Sequence, residues 1–592
     1  MNKYIQQMKY IIFLVVLTGL FSSCNDDFLE RYPLTNISDG GFWNTANDLQ
    51  LYCNNFYQQF FNNYSGYETP FTADAENGSD SQVFADYNRW LNGENQLPST
   101  GGGWDWGQLR NVNYFLDNYT RSPEPWDNIK SYVGEALFFR SYFYFNRLKR
   151  FGDLPFYSHV LQMDSEDLFA ARLPRNQVVD SIMYDLDRAV EYLPERGTWA
   201  GRILKETAML LQARIALYEG TWEKYHDLKN TPFKVTGSDG SKYIRKAAEV
   251  AGALMALAEA NGNTGLNDLS DEFGYTDLFI QRNYGANKEV LLWREFSIAE
   301  NVTSLYTEVS ASGRGASPTK SLIDSYLCLD GKPISVSSLY QGDATVQTVV
   351  TNRDPRLYQT ICVNDGKHYR WKNENTFYSI PSFEDANYRN ATGYQLYKGH
   401  PQDYGTSRLR SEVGKIYFRY AEALLIYAEA RAELGEITQS DIDKTVNALR
   451  RRVGMDEGLL DMTNITTDLN WEFKGISPLL NEIRRERKVE LACEGFRCDD
   501  ILRWAAIDEL ILGKRPRGAI KEQWTDFPGA SEIFLTTVAE IPVDENGYID
   551  RYQSYPAMSN GYRFNLERDY LWPLPVSELN LNSALKQNPG WE

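Results

Sequence analysis

The strongest constraint on this chain is a recurring kind of helix whose contact face carries alanine, found in two blocks far apart. Lys205–Glu219 (KETAMLLQARIALYE) and Tyr243–Glu259 (YIRKAAEVAGALMALAE) set small side chains where a neighbouring helix would touch. Ile416–Leu434 repeats this with Ala421, Leu424, Ala428 and Ala432. Small residues let helix axes approach closely, which favours antiparallel hairpins stacked into an array. Gln177–Leu193 adds a stripe of Val178, Ile182, Leu186, Val190 and Leu193 at helical spacing. Trp126–Arg150 is apolar on most faces, as a helix enclosed by others must be. A Gly and a Pro in Phe151-Gly152-Asp153-Leu154-Pro155 end it. Ile442–Arg452 and Pro478–Glu494 are further expected helices in the second block.

These segments predict a mainly α fold of tetratricopeptide-like helical hairpins, although no clean repeat period links them. The scaffold is expected mainly over residues 108–262 and 412–510. Residues 62–107 and 263–411 are rich in Gly, Asn, Ser, Asp and aromatics, with brief strand-like runs such as Glu289–Trp293. Long loops on a rigid scaffold are where recognition usually sits, so these stretches are the expected ligand-binding part. Residues 511–592 read as an irregular C-terminal segment. Length alone, at 592 residues, would suggest about four domains. The pattern instead favours one body over 24–592, a helical scaffold with long insertions.

The first residues read as a targeting signal. Lys3 and Lys9 precede an apolar-to-neutral run, Ile11–Phe21, too short to span a membrane, which takes about 20 apolar residues. It ends in Leu20-Phe21-Ser22-Ser23-Cys24, which resembles the lipobox at which a bacterial signal peptidase cuts and the Cys thiol takes a lipid. Residues 1–23 are therefore expected to be a lipoprotein signal peptide, with Cys24 acylated by diacylglycerol and palmitate-type chains and seated in outer-membrane lipid. Asn25-Asp26-Asp27 resembles the acidic signal for display on the outer face. The formal net charge is −19, and loss of Lys3 and Lys9 makes the chain more acidic still. That balance argues against a nucleic-acid partner and against electrostatic docking on anionic lipid. Cys53, Cys328, Cys362, Cys493 and Cys498 show no zinc or disulfide spacing and read as single thiols. No P-loop, GxGxxG or HExxH motif occurs, and no cofactor or metal is expected. Asp74–Gly78 fails the alternating order of a calcium loop.

Aromatic residues are abundant: 39 Tyr, 29 Phe and 14 Trp. A pyranose ring presents an apolar C–H face that stacks on Trp or Tyr, and a rim of hydroxyls that needs Asn, Asp, Gln or Arg. Arg89-Trp90-Leu91-Asn92 meets that need, as does Trp104 beside Gly101-Gly102-Gly103. Trp106, close to a helix that reaches Asn113, is expected to pack instead. Glu482, Glu486, Glu490 and Glu494 recur at i+4, which lines one helix face with carboxylates. Retaining glycosidases hold two carboxyls about 5–5.5 Å apart, but across a cleft and normally from different elements. A stripe of like charge on one helix needs cationic partners from neighbours, and Arg419, Arg431, Arg450, Arg497 and Arg503 are available. The stripe is expected to be structural.

Several short motifs, in order, carry a family resemblance. They are Asp27-Phe28-Leu29-Glu30 with Pro33; Gly134–Arg140 with Phe151–Pro155; and Ser325-Tyr326, Asp330-Gly331-Lys332 and Arg353-Asp354-Pro355-Arg356. They continue with Ile483–Arg487 through Glu490-Leu491, Glu494-Gly495, Arg497, Asp500 and Arg503-Trp504, and end with Trp572–Pro575 and Gln587–Trp591. Together these resemble SusD/RagB-type outer-membrane nutrient-binding lipoproteins over nearly the whole chain. The resemblance implies four tetratricopeptide-like pairs supporting a loop-rich half. It also implies a lid on a SusC-like TonB-dependent transporter that captures oligosaccharide at the cell surface without chemistry. By position it points to Arg89, Trp90, Asn92, Tyr306 and Arg314 as ligand contacts, with Trp371 and Tyr378 as further candidates. A tetratricopeptide-type scaffold for peptide binding or uptake and, more distantly, a secreted glycoside hydrolase are the alternative readings.

Overall fold

The computed structural model describes residues 42–61, 76–197, 201–303, 317–384, 389–400, 402 and 411–592. Cys24 and the signal segment, and Tyr306 and Arg314, lie outside the described residues. The longer helices are α1 (Ala46–Phe61), α2 (Gly107–Asn118), α3 (Trp126–Phe151), α4 (Arg175–Tyr192), α5 (Lys205–Leu228) and α6 (Ser241–Asn261). After the loop-rich stretch come α7 (Tyr420–Glu433), α8 (Pro478–Glu490) and α9 (Arg497–Arg503). Strands are short and paired antiparallel: β1 (Gln82–Val83) with β3 (Ser317–Pro318), β2 (Val290–Arg294) with β6 (Lys415–Arg419), and β4 (Tyr369–Trp371) with β5 (Thr376–Phe377). The fold is mainly α, as the helical patterns predict.

Successive helices pack on one another from α3 through α6, and α1 and α2 both lie against α3. The chain then leaves the array, returns through β6 beside β2, and feeds straight into α7, which packs on α6 and on α8. Close approach explains the small residues. Gly220 in α5 meets the start of α6 so tightly that a Cβ there would fall 2.6 Å from the Ile244 amide. Its neighbour across the contact, Gly240, caps α6 at φ +73°, and a Cβ on it would collide with the Gly220 carbonyl. α3 ends as expected at Gly152, φ +71°. The closing motif latches there: Asn588 Nδ2 donates to the Phe151 carbonyl at 3.0 Å and to that of Trp572 at 2.7 Å.

One apolar cluster fills the helical array, with rings such as Phe138, Tyr144, Trp222 and Trp504 fully buried. A second lies within the loop-rich half and includes Tyr326, Leu357, Tyr394, Trp524 and Phe534. The end of α8 enters this second cluster through Val489, followed by Ala492 and Cys493. The C-terminal segment contributes to both clusters, Tyr562 and Tyr570 to the first and Trp524 and Ile549 to the second. Among the described residues the five cysteines are free thiols, buried except for the half-buried Cys498.

Three local expectations are corrected, one of them being that the helix expected over Pro478–Glu494 ends at Glu490, before a run of turns. Ile416–Arg419, read as the start of a helix, belongs to strand β6; its Ile-Tyr-Phe run suits a strand once β2 is alongside, and pairing overrides the helical reading. Ile442–Arg452 is not one helix: Gln439–Lys444 and Val446–Arg451 are separated at Thr445, whose backbone (φ −119°, ψ −91°) is outside the helical region. Helix α1 was not anticipated, although Leu49, Cys53 and Phe56 bury one face at i, i+4, i+7. Its many Asn and Gln residues mask that stripe.

Candidate ligand-binding site

The last carbonyl of α1 organises the site. A helix end leaves carbonyls without intrahelical donors. The Phe61 carbonyl is satisfied from the β2–β6 pair: Tyr417 Oη donates to it at 2.7 Å and Arg294 Nη1 at 3.2 Å. This holds the Phe61 and Tyr417 rings 4.5 Å apart. Trp293, which pairs with Ile416 across the strands, is brought to the same place. The result is a cavity of about 450 Å³ whose lining includes Tyr57, Phe61, Arg202, Trp293, Arg294 and Tyr417.

The polar side is equally fixed. Arg202 donates to Glu135 through Nε at 2.8 Å and Nη2 at 2.6 Å, and through Nη1 to Asn54 Oδ1 at 2.6 Å. Its guanidinium lies 5.3 Å from the Tyr57 ring centre. Tyr57 Oη accepts from the Ile203 amide at 2.8 Å. Burial, reinforced by Glu135, pushes the Tyr57 hydroxyl well above its ordinary pKa, so it stays an O–H group. Aromatic faces beside the side-chain amides of Asn54 and Gln58 and the guanidinium groups of Arg202 and Arg294 form a surface suited to a ring with one apolar face and a hydroxyl rim.

Of the expected contact residues, the described ones do not line this cavity. Arg89 is exposed, but the half-buried Trp90 turns inward: its indole N–H donates to the Asp569 carbonyl at 3.0 Å and its ring meets Phe564 edge-on. Asn92 is buried and donates to Glu94 at 2.6 Å. Trp104 is half-buried, edge-on to Trp106 and Phe151. Trp106 itself packs among Phe143, Tyr144 and Tyr157, as expected. Trp371 is buried against His400, and Tyr378 follows on the same hairpin, with its amide bonded to the His368 carbonyl. The structure therefore keeps Arg89, Trp90 and Asn92 in one turn and Trp371 and Tyr378 on one hairpin, each set packed against different neighbours. Sequence reasoning missed Tyr57, Phe61 and Tyr417. Only the strand pairing that brings residue 417 to residue 61 marks them.

The carboxylate stripe is neutralised residue by residue. Glu482 meets Arg450 and Arg485, both at 3.3 Å. Glu486 meets Arg356 at 2.6 Å and Arg450 at 2.9 Å. Glu490 accepts from Arg356 at 2.9 Å, from Arg419 at 2.6 Å and from Arg452. Glu494 pairs with Arg419 at 2.6 Å and Lys398 at 2.7 Å. Despite burial, those cations hold Glu490 well below the usual carboxylate range and lower Glu494 as well. The Arg-Asp-Pro-Arg motif explains itself here: Asp354 caps the short helix Pro355–Thr360 and bonds Arg356, which reaches Glu486 and Glu490. Arg353 donates to the Ile323 and Tyr326 carbonyls. Of the expected partners, Arg419 and Arg450 serve the stripe. Arg497 pairs instead with Asp80, Arg503 with Glu429, and Arg431 with Glu436. Among the described residues no group of three or more His, Cys, Asp or Glu could hold a metal, and no helix is long and apolar enough to cross a membrane.

A helical array joined to a loop-rich half, with an aromatic cavity at the seam, defines a class of binding scaffold. The chain belongs to the SusD family, whose model matches residues 280–591. A second model, described as starch-binding associating with outer membrane, matches residues 44–217. SusD-like protein P2 of Formosa agariphila is 24% identical over 604 residues, covering 100% of both chains. Two Bacteroides fragilis crystal structures share the fold. A SusD-like protein superposes with a TM-score of 0.68 at 22% identity, covering 95% of this chain and 100% of its own. A SusD-like carbohydrate binding protein gives 0.69 at 22%, covering 92% and 100%.

Proposed function

We propose that this protein is a cell-surface lipoprotein, anchored in the outer membrane through Cys24, that binds oligosaccharide and hands it to a SusC-like TonB-dependent transporter without altering it. The carrying observation is the cavity between α1, β2 and β6, where Tyr57, Phe61, Trp293 and Tyr417 meet Arg202 and Arg294. Family membership, the family model described as starch-binding and outer-membrane associated, and the carbohydrate-binding relative support this reading. A non-catalytic role is supported by the stripe of glutamates, each held by Arg or Lys instead of facing a cleft. Tyr306 and Arg314, shortly beyond the cavity residue Val302 in sequence, are proposed contacts, as is the exposed Arg89. Trp90, Trp104 and Tyr378, which are half-buried, are secondary candidates, as are the buried Asn92 and Trp371, which ligand would reach only if their loops shifted.

The test is affinity electrophoresis of residues 24–592 against plant, host and microbial polysaccharides, with peptides in parallel and a hydrolysis readout. Retardation by one glycan class with no product released is expected. Peptide binding without glycan binding would favour the scaffold reading, and released sugar would favour a hydrolase.

A further inference from the structure

A second cavity, of about 320 Å³, shares Phe61 and Tyr417 with the first. Phe60, Tyr142 and Phe496 add apolar wall, and Lys149, Arg214 and Arg487 line it as well. Most of this charge is matched: Arg214 is bidentate with Glu422 at 2.7 and 2.6 Å, and Lys149 meets Asp499 at 2.7 Å. Arg487 differs. Its Nε is held by Asp500 at 2.8 Å, but its buried Nη1 has no acceptor. The Tyr218 hydroxyl, also buried and also lining the cavity, has no partner either. Arg487 is 4% exposed and Tyr218 2%. Buried polar groups are almost always satisfied, so two orphans around one cavity need an explanation. A guanidinium only donates. Burial, with Asp499 nearby, pushes the Tyr218 hydroxyl well above its ordinary pKa and keeps its proton available to donate. Two buried donors stand in the wall of one cavity, where six cations (Lys149, Arg214, Lys415, Arg419, Arg487 and Arg503) outnumber three carboxylates (Glu494, Asp499 and Asp500), a balance that favours an acceptor carrying negative charge.

We infer that this second cavity takes the oxyanion group, carboxylate or sulfate ester, of an acidic oligosaccharide, with Arg487 and Tyr218 as donors. The inference rests on the oligosaccharide-binding reading and narrows it to a substrate class, against the acidic character of the chain as a whole.

The experiment titrates residues 24–592 with sodium glucuronate, inorganic sulfate and glucose by ligand-observed NMR, alongside Tyr218→Phe and Arg487→Lys. Wild type is expected to bind one or both anions at least five-fold more tightly than glucose, and the two anion arms separate carboxylate from sulfate ester. Tyr218→Phe removes no hydrogen bond, so it should leave the unfolding midpoint unchanged or raised while weakening the anion at least five-fold. If Arg487→Lys fails to fold, Tyr218→Phe alone decides. Anions binding no better than glucose, or binding unaffected by Tyr218→Phe, would overturn the inference, as would water alone at the two donors in a crystal grown with the anion. A neutral oligosaccharide that still binds in that case leaves the oligosaccharide reading standing. Failure of every glycan, neutral or acidic, removes both.

Discussion

Along α8 and in the cavity at the end of α1, the chain treats buried polar groups in opposite ways. On α8 and in the turn that follows it, Glu482, Glu486, Glu490 and Glu494 meet guanidinium and ammonium groups from segments far apart in sequence: Arg356 and Lys398 in the loop-rich half, Arg419 at the end of β6, and Arg450 and Arg452 in the second helical block. Glu486, Glu490 and Glu494 each take a cation from the loop-rich half and hold the halves together, while Glu482 pairs with Arg450 and Arg485 inside the helical block. At the cavity, charge is tied back to the scaffold, Arg202 to Glu135 and Arg294 to the Phe61 carbonyl, and the lining is mostly rings. The contrast teaches that the most conspicuous charged motif in the sequence is a set of struts, while the surface suited to a neutral ring comes from residues with no motif at all.

The largest test of that contrast is Glu490→Gln. It leaves Arg356, Arg419 and Arg452 facing a neutral amide in a buried site, and should cost about 3–5 kcal/mol of stability by chemical denaturation. Asp180→Asn, which loosens the exposed pair with Lys242, should cost under about 1 kcal/mol. Equal, small effects would break the strut account.

Trp90→Ala sharpens the other side. With its indole bonded to Asp569 and packed on Phe564, the substitution should lower stability by about 3 kcal/mol. Glycan affinity of the folded fraction is expected to change less than in a cavity variant. Abolished affinity with native stability would move the site to that loop.

The pH profile of the unfolding midpoint follows from shifts of both signs. Glu429, held to about 2 by Arg503 despite burial, stabilises above its ordinary 4.5 and loses that contribution as pH falls through 2. His226 and His400 are buried neutral, lowered to about 3 and about 4; the unfolded chain takes up their protons first, so stability falls as pH drops from 6.5 towards those values. Burial raises Glu76 to about 7 and Glu223 to about 8, a contribution full below 4.5 and lost as pH rises through 7 and 8. A thermal scan should therefore show a plateau between about pH 4.5 and 6.5, where the His and Glu contributions offset, and fall on both sides; a midpoint flat from pH 4 to 9 would contradict these assignments. A modest effect is expected of Tyr417→Phe, which removes one hydrogen bond to the Phe61 carbonyl and should cost about 1 kcal/mol in denaturation.

Helices were legible where burial imposes a period, as in α4, α5 and α6, because a helix that touches its neighbours must write that contact at 3.6-residue spacing. Ile416–Arg419 was misread because four residues cannot distinguish strand from helix without the partner that β2 supplies. The structural role of the glutamates could be argued from like-charge spacing alone, yet Arg356, Arg452 and Lys398 could not be named, since nothing local ties them to α8. The cavity was the least legible part: Tyr57 and Phe61 stand one turn apart on α1, whose apolar stripe is hidden among Asn and Gln, and Tyr417 reads as the start of a helix. Trp90 and Trp371 drew attention as aromatics in loops, and the fold packs both inward.

The most direct measurement is calorimetric titration of the oligosaccharide class found in the polysaccharide screen into wild type and Tyr417→Ala, with folding checked by thermal unfolding. Loss of the ring that forms one wall of the cavity should raise Kd about ten-fold or more while the protein stays folded. An unchanged Kd in a natively folded Tyr417→Ala protein would contradict the placement of the ligand between α1, β2 and β6.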